Sequence, residues 1–265
     1  QQGPPKASVL QAAPLLPKIK TIMKKILTLF FACALSMAMQ AQTKHNVYVW
    51  VDGEKTLIEN ADSITFSEPA TPPADDEAVD LGLSVKWAQR NLGAENPWDF
   101  GTYFAWGEIE GKDNYEWATY KHGTSYNQLT KYVSSVGYGL DGFIDNKEVL
   151  DESDDAAAQL LGNGWRMPTP EEMQELIEDC TWEEDYDMGV GGLRVTGPNG
   201  NSIFMPFAGR MYGSILFQSN ASGYYWTSSL NEKANVQAKY LCIAPNGQEV
   251  TCYNRYFGFS IRPVK

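Results

Sequence analysis

An α+β fold is predicted for residues 79–265, rich in loops and built from short antiparallel sheets with about two helices. Three observations point to it. The β-rich apolar runs are short, and Gly, Pro or Asn separates them. Two pairs of runs flank tight-turn sequences, Gly197-Pro198-Asn199-Gly200-Asn201 and Pro245-Asn246-Gly247, and so read as antiparallel hairpins. Helical spacing is confined to Asp154–Leu161 and to the stretch after Thr169.

Ahead of that domain the elements are smaller. Met23-Lys24-Lys25 followed by the apolar run Ile26–Met37 and by Met39-Gln40-Ala41 reads as a secretory signal peptide over residues 23–41. The run is too short to span a bilayer. Residues 1–22 do not fit before such a signal and read as an upstream extension from a mis-placed start. Cys33 follows Phe30-Phe31-Ala32, a poor lipidation signal. Residues 42–68 form a small β-rich segment: Val47–Val51, Thr56–Ile58 and Ser63–Phe66 are strand-like, with Asp52-Gly53 as a turn. Residues 69–78, with Pro69, Pro72, Pro73 and several acids, read as a solvated linker.

Within the domain, Val85–Ala88 and Gly101–Gly107 read as strands, and residues 110–150 as a long polar loop region. Asp154–Leu161 is a short helix that opens with acids. Thr169 then caps a second helix, with Pro170 at its first position and Glu172 completing a capping box. Met173, Leu176 and Ile177 give it an apolar face through about Asp179. Leu193–Val195 and Ser202–Pro206 form one hairpin, Tyr224–Ser228 is a strand, and Gln237–Ile243 with Gln248–Tyr253 form the last hairpin. Phe259–Val264 closes the chain as a strand.

The formal net charge is −12, and it becomes −17 once residues 1–41, with five lysines and no acid, are set aside. Such a surface repels phosphate backbones and anionic lipid, so nucleic acid and membrane insertion are not expected after signal cleavage. Export places the protein in the periplasm, on the outer-membrane surface or in the medium. Cys180, Cys242 and Cys252 remain after cleavage, an odd number and no disulfide scaffold. A tight hairpin would set Cys242 opposite Val250 or Thr251, so a Cys242–Cys252 bridge would need a bulge.

Several strings read together carry a resemblance. They are Val79-Asp80-Leu81-Gly82-Leu83-Ser84-Val85-Lys86-Trp87-Ala88, Tyr103-Phe104-Ala105-Trp106-Gly107-Glu108, Asp154-Asp155-Ala156-Ala157 and Gly164-Trp165-Arg166-Met167-Pro168-Thr169. Val195–Phe204, Tyr225-Trp226-Thr227-Ser228-Ser229 and Ser260-Ile261-Arg262-Pro263-Val264 follow in order. The set resembles the Fibrobacter succinogenes major paralogous domain family of exported Bacteroidetes proteins. That family implies a C-type-lectin-like fold, related to the formylglycine-generating-enzyme-like fold. The resemblance extends to the variable proteins of diversity-generating retroelements, whose C-terminal strands display ligand-binding side chains. It implies an exported ligand-binding or adhesive protein that takes a glycan or a protein. A structural envelope component and an enzyme of the formylglycine-generating-like fold are the alternatives.

Catalytic signatures are sparse, so the residues favour a binding protein over an enzyme. His45 and His122 have no neighbouring His or Cys at metal spacing, and neither a nucleophile elbow nor a phosphate-cradling loop occurs. Copper-dependent formylglycine formation needs a close cysteine pair, which Cys242 and Cys252 do not make in sequence. No cofactor is expected, with calcium left open. Asp145, Asp151, Asp154 and Asp155 are weak calcium candidates in an acidic stretch without the EF-hand pattern. The favoured reading is a solvated acidic loop, with Asp154 and Asp155 at a helix N-terminus and one of them paired to Arg166. Trp87, Trp106, Trp165 and Trp226 are expected in the core, and Arg262 in a structural ion pair. Ligand contacts are expected on the last hairpin and its approach: Tyr224, Asn231, Asn235, Gln237, Lys239, Tyr240, Tyr253, Asn254, Arg255 and Tyr256. Strand alternation puts Gln237, Lys239 and Leu241 on one face and Ala238, Tyr240 and Cys242 on the other.

Overall fold

The computed structural model describes the backbone of residues 45–51 and 54–61, and residues 78–265 in full. The upstream extension, the signal peptide, the strand expected at Ser63–Phe66 and nearly all of the linker lie outside the described residues. The chain divides into two compact units, residues 1–68 and 69–265. In the first, β1 (His45–Val51) and β2 (Glu54–Ala61) form the antiparallel hairpin expected around Asp52-Gly53.

In the second unit the architecture is mixed and loop-rich, with short antiparallel sheets and, among the described residues, two α-helices. β3 (Ala78–Val79) pairs with β4 (Trp87–Ala88). The long loop region follows, and then α1 (Ala156–Leu161), whose N-cap Asp155 accepts the Ala158 N–H. Helix α2 (Pro170–Asp179) carries the expected capping box: Thr169 accepts the Glu172 N–H and Glu172 accepts the Thr169 N–H. Arg166 grips the same Glu172 with both terminal guanidinium nitrogens, Nη2 at 2.5 Å and Nη1 at 2.8 Å. It was expected to pair with Asp154 or Asp155 and does not.

β5 (Thr181–Asp187), β6 (Val190–Thr196) and β7 (Ser202–Pro206) form one antiparallel sheet. β8 (Arg210–Tyr212) and β9 (Ile215–Phe217) form a small hairpin that the sequence reading passed over. β10 (Gly223–Leu230), β11 (Gln237–Ala244) and β12 (Gly247–Asn254) form the last sheet, with β11 in the middle. Two expected strands are absent. Gly101–Gly107 and Phe259–Val264 form no ladder and are joined to their neighbours only by single bridges. The closing segment is a seam: Gly258 bridges Met211, Phe259 bridges Phe104, Ser260 bridges Tyr225, and Val264 bridges both Trp87 and Arg166. A segment that touches so many partners satisfies its backbone piecemeal instead of in one ladder.

The two faces of the last sheet pack on different cores. Ala238 and Tyr240 join Trp106, Trp165, Trp226 and Phe259 in an aromatic cluster. Leu241 and Ile243 join Met173, Leu176, Val195 and Met205 in an aliphatic one, which also holds Trp87. The four tryptophans are buried, as expected. Arg262 is also fully buried, but among the described residues no carboxylate meets it. Its guanidinium donates to Asn91 Oδ1 and to the carbonyls of Ala88, Gln89 and Phe204, at 2.8–3.1 Å. Desolvation by burial lowers its pKa to about 10.

Candidate functional site

The last hairpin is far more interior than its sequence suggested. Four of the ten candidate contacts are buried. Tyr240 stacks on Tyr224 and meets Trp226 and Phe259 edge-on. The Tyr224 hydroxyl is taken by Arg210 and Gln218. Asn235 accepts the N–H groups of Ser134 and Ser135 at 2.8 and 3.1 Å and donates to Ser134 Oγ. Arg255 donates to the carbonyls of Lys131, Tyr132 and Asn235 at 2.6–3.1 Å, with its cation over the Trp106 and Tyr120 rings. The physical reason is common to Asn235 and Arg255. Residues 121–150 have almost no regular secondary structure, so their buried backbone groups need side-chain partners. Asn235 and Arg255 supply them, so their polar atoms are not offered to a ligand.

The other six are half-buried. Asn231 and Gln237 bond to each other, and Lys239 pairs with Glu232 at 3.1 Å. Asn254 lies opposite Gln237 in the β11–β12 register, so these residues share the Leu241 side. Tyr253 lies opposite Ala238, on the aromatic side. Tyr256 follows the strand and packs on Trp117.

That aromatic side continues onto the β8–β9 hairpin. Gly213 has φ +58° at the first turn position, a left-handed conformation that favours glycine. The hairpin is braced by Tyr115, bonded to Gly213, and by Gly258, bonded to Met211. A Cβ on Gly258 would come within 2.6 Å of the Tyr115 ring. So braced, Tyr212 stacks on buried Phe257 at 4.9 Å and 13° while staying 45% exposed. Trp117, Tyr256, Tyr212 and Phe217 then form a row with successive ring separations of 4.8, 6.4 and 6.3 Å. At one end Arg210 lies over the rings of Tyr224 and Tyr253, at 4.8 and 5.4 Å. Its Nη1 is held by Gln218 and Tyr224. Rings fixed from behind can bind a flat or extended ligand at little entropic cost. Of this row only Tyr256 stood among the sequence candidates. The missed signal was Arg-Met-Tyr-Gly-Ser-Ile-Leu-Phe over 210–217, apolar residues either side of a Gly-Ser turn.

The acidic stretch is wired internally. Asp145 accepts the Tyr132 and Val133 N–H groups. Asp151 pairs with Lys131 and Lys147. Asp154 is held by Lys121, Lys131 and the Tyr132 hydroxyl. Burial opposes its charge, but these donors prevail and keep its carboxyl below the usual range. Asp155 accepts the Ala158 and Met167 N–H groups, and burial raises its pKa. No group of three or more His, Cys, Asp or Glu side chains placed to hold a metal occurs among the described residues. His122 Nε2 lies 2.8 Å from the Gly107 carbonyl, and burial lowers its pKa to about 4.

The cysteines stand apart. Cys242 lies opposite Glu249, not Val250 or Thr251, because the hairpin closes at Ala244 and Gly247 around a two-residue turn. Cys252 lies opposite Lys239, and all three described cysteines are free thiols. Burial raises the pKa of each, Cys180 to about 11, which disfavours the nucleophilic thiolate. A depression of about 460 Å³ runs past Glu152, Asp155, Trp165, Arg166, Thr169 and Ser228. Its principal charges are already committed, Asp155 to backbone and Arg166 to Glu172. No family model matches this chain, and neither a curated protein nor a solved structure matches it.

Proposed function

We propose that residues 79–265 are an exported ligand-binding or adhesive module of C-type-lectin-like fold, working without catalysis on an extracellular glycan or protein. The observation that carries this is the row Trp117–Tyr256–Tyr212–Phe217, held from behind and edged by Arg210. Surfaces rich in Tyr, Trp and Arg supply most of the binding energy at recognition sites. Support also comes from the secretory signal read in the sequence and from the family resemblance. The site is the outer end of the last hairpin together with Trp117 and with Arg210, Tyr212 and Phe217 of the β8–β9 hairpin. Tyr253 and Tyr256 contribute from the original candidates, and Asn231, Gln237, Lys239 and Asn254 lie on the opposite side of the sheet. If a retroelement diversifies the gene, variation should fall on these six positions and spare Asn235, Tyr240 and Arg255.

The test is an array of glycans and extracellular proteins probed with the mature chain, with and without calcium. A specific hit should weaken about tenfold or more in Tyr212→Ala and Tyr256→Ala variants that keep the parental unfolding midpoint. Hits unaffected by both substitutions would refute the assignment of this surface.

A further inference from the structure

We propose that the outer edge of β9 is a self-association surface on which a second copy of this chain pairs its own β9, antiparallel, about a two-fold axis. This goes beyond the ligand-binding reading and stands or falls independently of it.

Backbone register is the first support. Strand β9 pairs only with β8, through Arg210↔Phe217, Met211↔Leu216 and Tyr212↔Ile215. With a two-residue turn at Gly213-Ser214, the closing pair Tyr212–Ile215 is the hydrogen-bonded kind. The Met211–Leu216 pair is then the other kind, and the Leu216 N–H and C=O point away from β8. No described strand lies on that side. An unpaired edge of this type is a template for another strand.

Side chains are the second. Ile215, Leu216 and Phe217 are 58%, 38% and 38% exposed, and none is charged. Strand β5 shows how this fold guards an edge. It pairs only with β6 and carries Glu183, Glu184, Asp185 and Asp187. Such charges block edge-to-edge pairing, and β9 has none of them.

Self-complementarity is the third. Antiparallel pairing centred on Leu216 sets it opposite the partner's Leu216, sharing two N–H···O=C bonds. Ile215 then lies opposite the partner's Phe217, and Phe217 opposite the partner's Ile215. A β-branched residue facing an aromatic is a favourable cross-strand pair. The chain beyond residue 41 has a net charge of −17, so two copies repel at long range. A second copy is accommodated best on a strip without acids. The only charge between residues 210 and 218 is Arg210, held by Gln218 and Tyr224. A dimer so formed places two aromatic rows in one particle and gives a multivalent ligand an avidity gain.

Sedimentation velocity of the mature chain across a wide concentration range tests this. A reversible monomer–dimer equilibrium is expected. Leu216→Lys and, separately, Ile215→Lys should weaken it by roughly tenfold or more while the near-ultraviolet circular dichroism stays parental. Under mild oxidation Leu216→Cys should give a covalent dimer, since its Cα would face its symmetry mate at a bridgeable distance. Val136→Cys, on an exposed loop elsewhere, should give no more than the parent chain. A monomer at every concentration overturns the proposal. So does a dimer untouched by both lysines, or equal cross-linking from both cysteine variants. Ligand binding per chain that persists in monomeric Leu216→Lys separates this outcome from that of the ligand surface.

Discussion

The two faces of the terminal sheet solve one packing problem in different ways. Both bury apolar side chains, but one lies against helix α2 and strands β6 and β7, and the other against the short helix α1 and long stretches with little regular structure. A helix or a ladder satisfies its own backbone, so the covered face can be simply aliphatic: Leu241 and Ile243 against Met173 and Leu176. A loop satisfies itself only in part. The aromatic face therefore comes with buried polar anchors, Arg255 and Asn235 on loop backbone and Asp145 and Asp154 gripping it from within. The cost of covering a sheet with loops is thus met by side chains whose residue types look like ligand contacts.

The sharpest way to break this comparison is Arg255→Met. Three carbonyls would lose their donor inside the protein, and about 4 kcal/mol of stability should go with them. Urea unfolding reads the loss, and amide exchange should locate it in residues 121–150. A variant as stable as the parent would show that water can replace the arginine and that the loop needs no such anchor.

A second effect is pH-dependent and belongs to the loop face alone. Burial holds His122 neutral down to about pH 4, against 6.5 in the unfolded chain. Above pH 6.5 neither state binds the proton. Between 6.5 and 4 only the unfolded state does, so stability falls as pH falls, by at most about 3 kcal/mol in all. Asp154, with its depressed pKa, adds a further loss below about pH 4 as its partners Lys121 and Lys131 lose their anion. Unfolding midpoints of the parent should drop steadily from pH 7 to pH 4, and His122→Gln should flatten that part of the profile. An equal slope in the variant would remove His122 from the account.

The smallest expected effect lies on the helix face. Thr169→Ala removes one half of the α2 capping box and should cost about 1 kcal/mol by urea unfolding. Exchange in residues 121–150 should be unchanged, because the helix supplies its own backbone bonds. Loosening of the loop in this variant would mean that the two faces are coupled and the contrast between them is misplaced.

Local chemistry was legible where the signal is short-range. The α2 capping box needs only Thr169, Pro170 and Glu172, and it forms as written. The β6–β7 and β11–β12 hairpins follow from their turn residues, though the two-residue turn moved Cys242 one or two places from its expected partner. Strands Gly101–Gly107 and Phe259–Val264 were over-read, since extended apolar chain can be held by isolated bridges without a ladder. The β8–β9 hairpin was missed because Met211, Tyr212, Ile215, Leu216 and Phe217 lack strict alternation.

The candidate site divides along the same line. Sequence by itself determined the residue types, the turns, the α2 cap and the alternation that puts Tyr240 and Lys239 on opposite faces of β11. Only the tertiary structure decided which face is covered and by what. Burial is a property of the partner as much as of the strand, and the partners here are far away in the chain: residues 131–135 on Arg255 and Asn235, and Arg210 on Tyr224 and Tyr253. An arginine that reads locally as a surface contact becomes the internal support of a loop more than a hundred residues earlier, because the Lys131 and Tyr132 carbonyls of that loop are turned to its guanidinium.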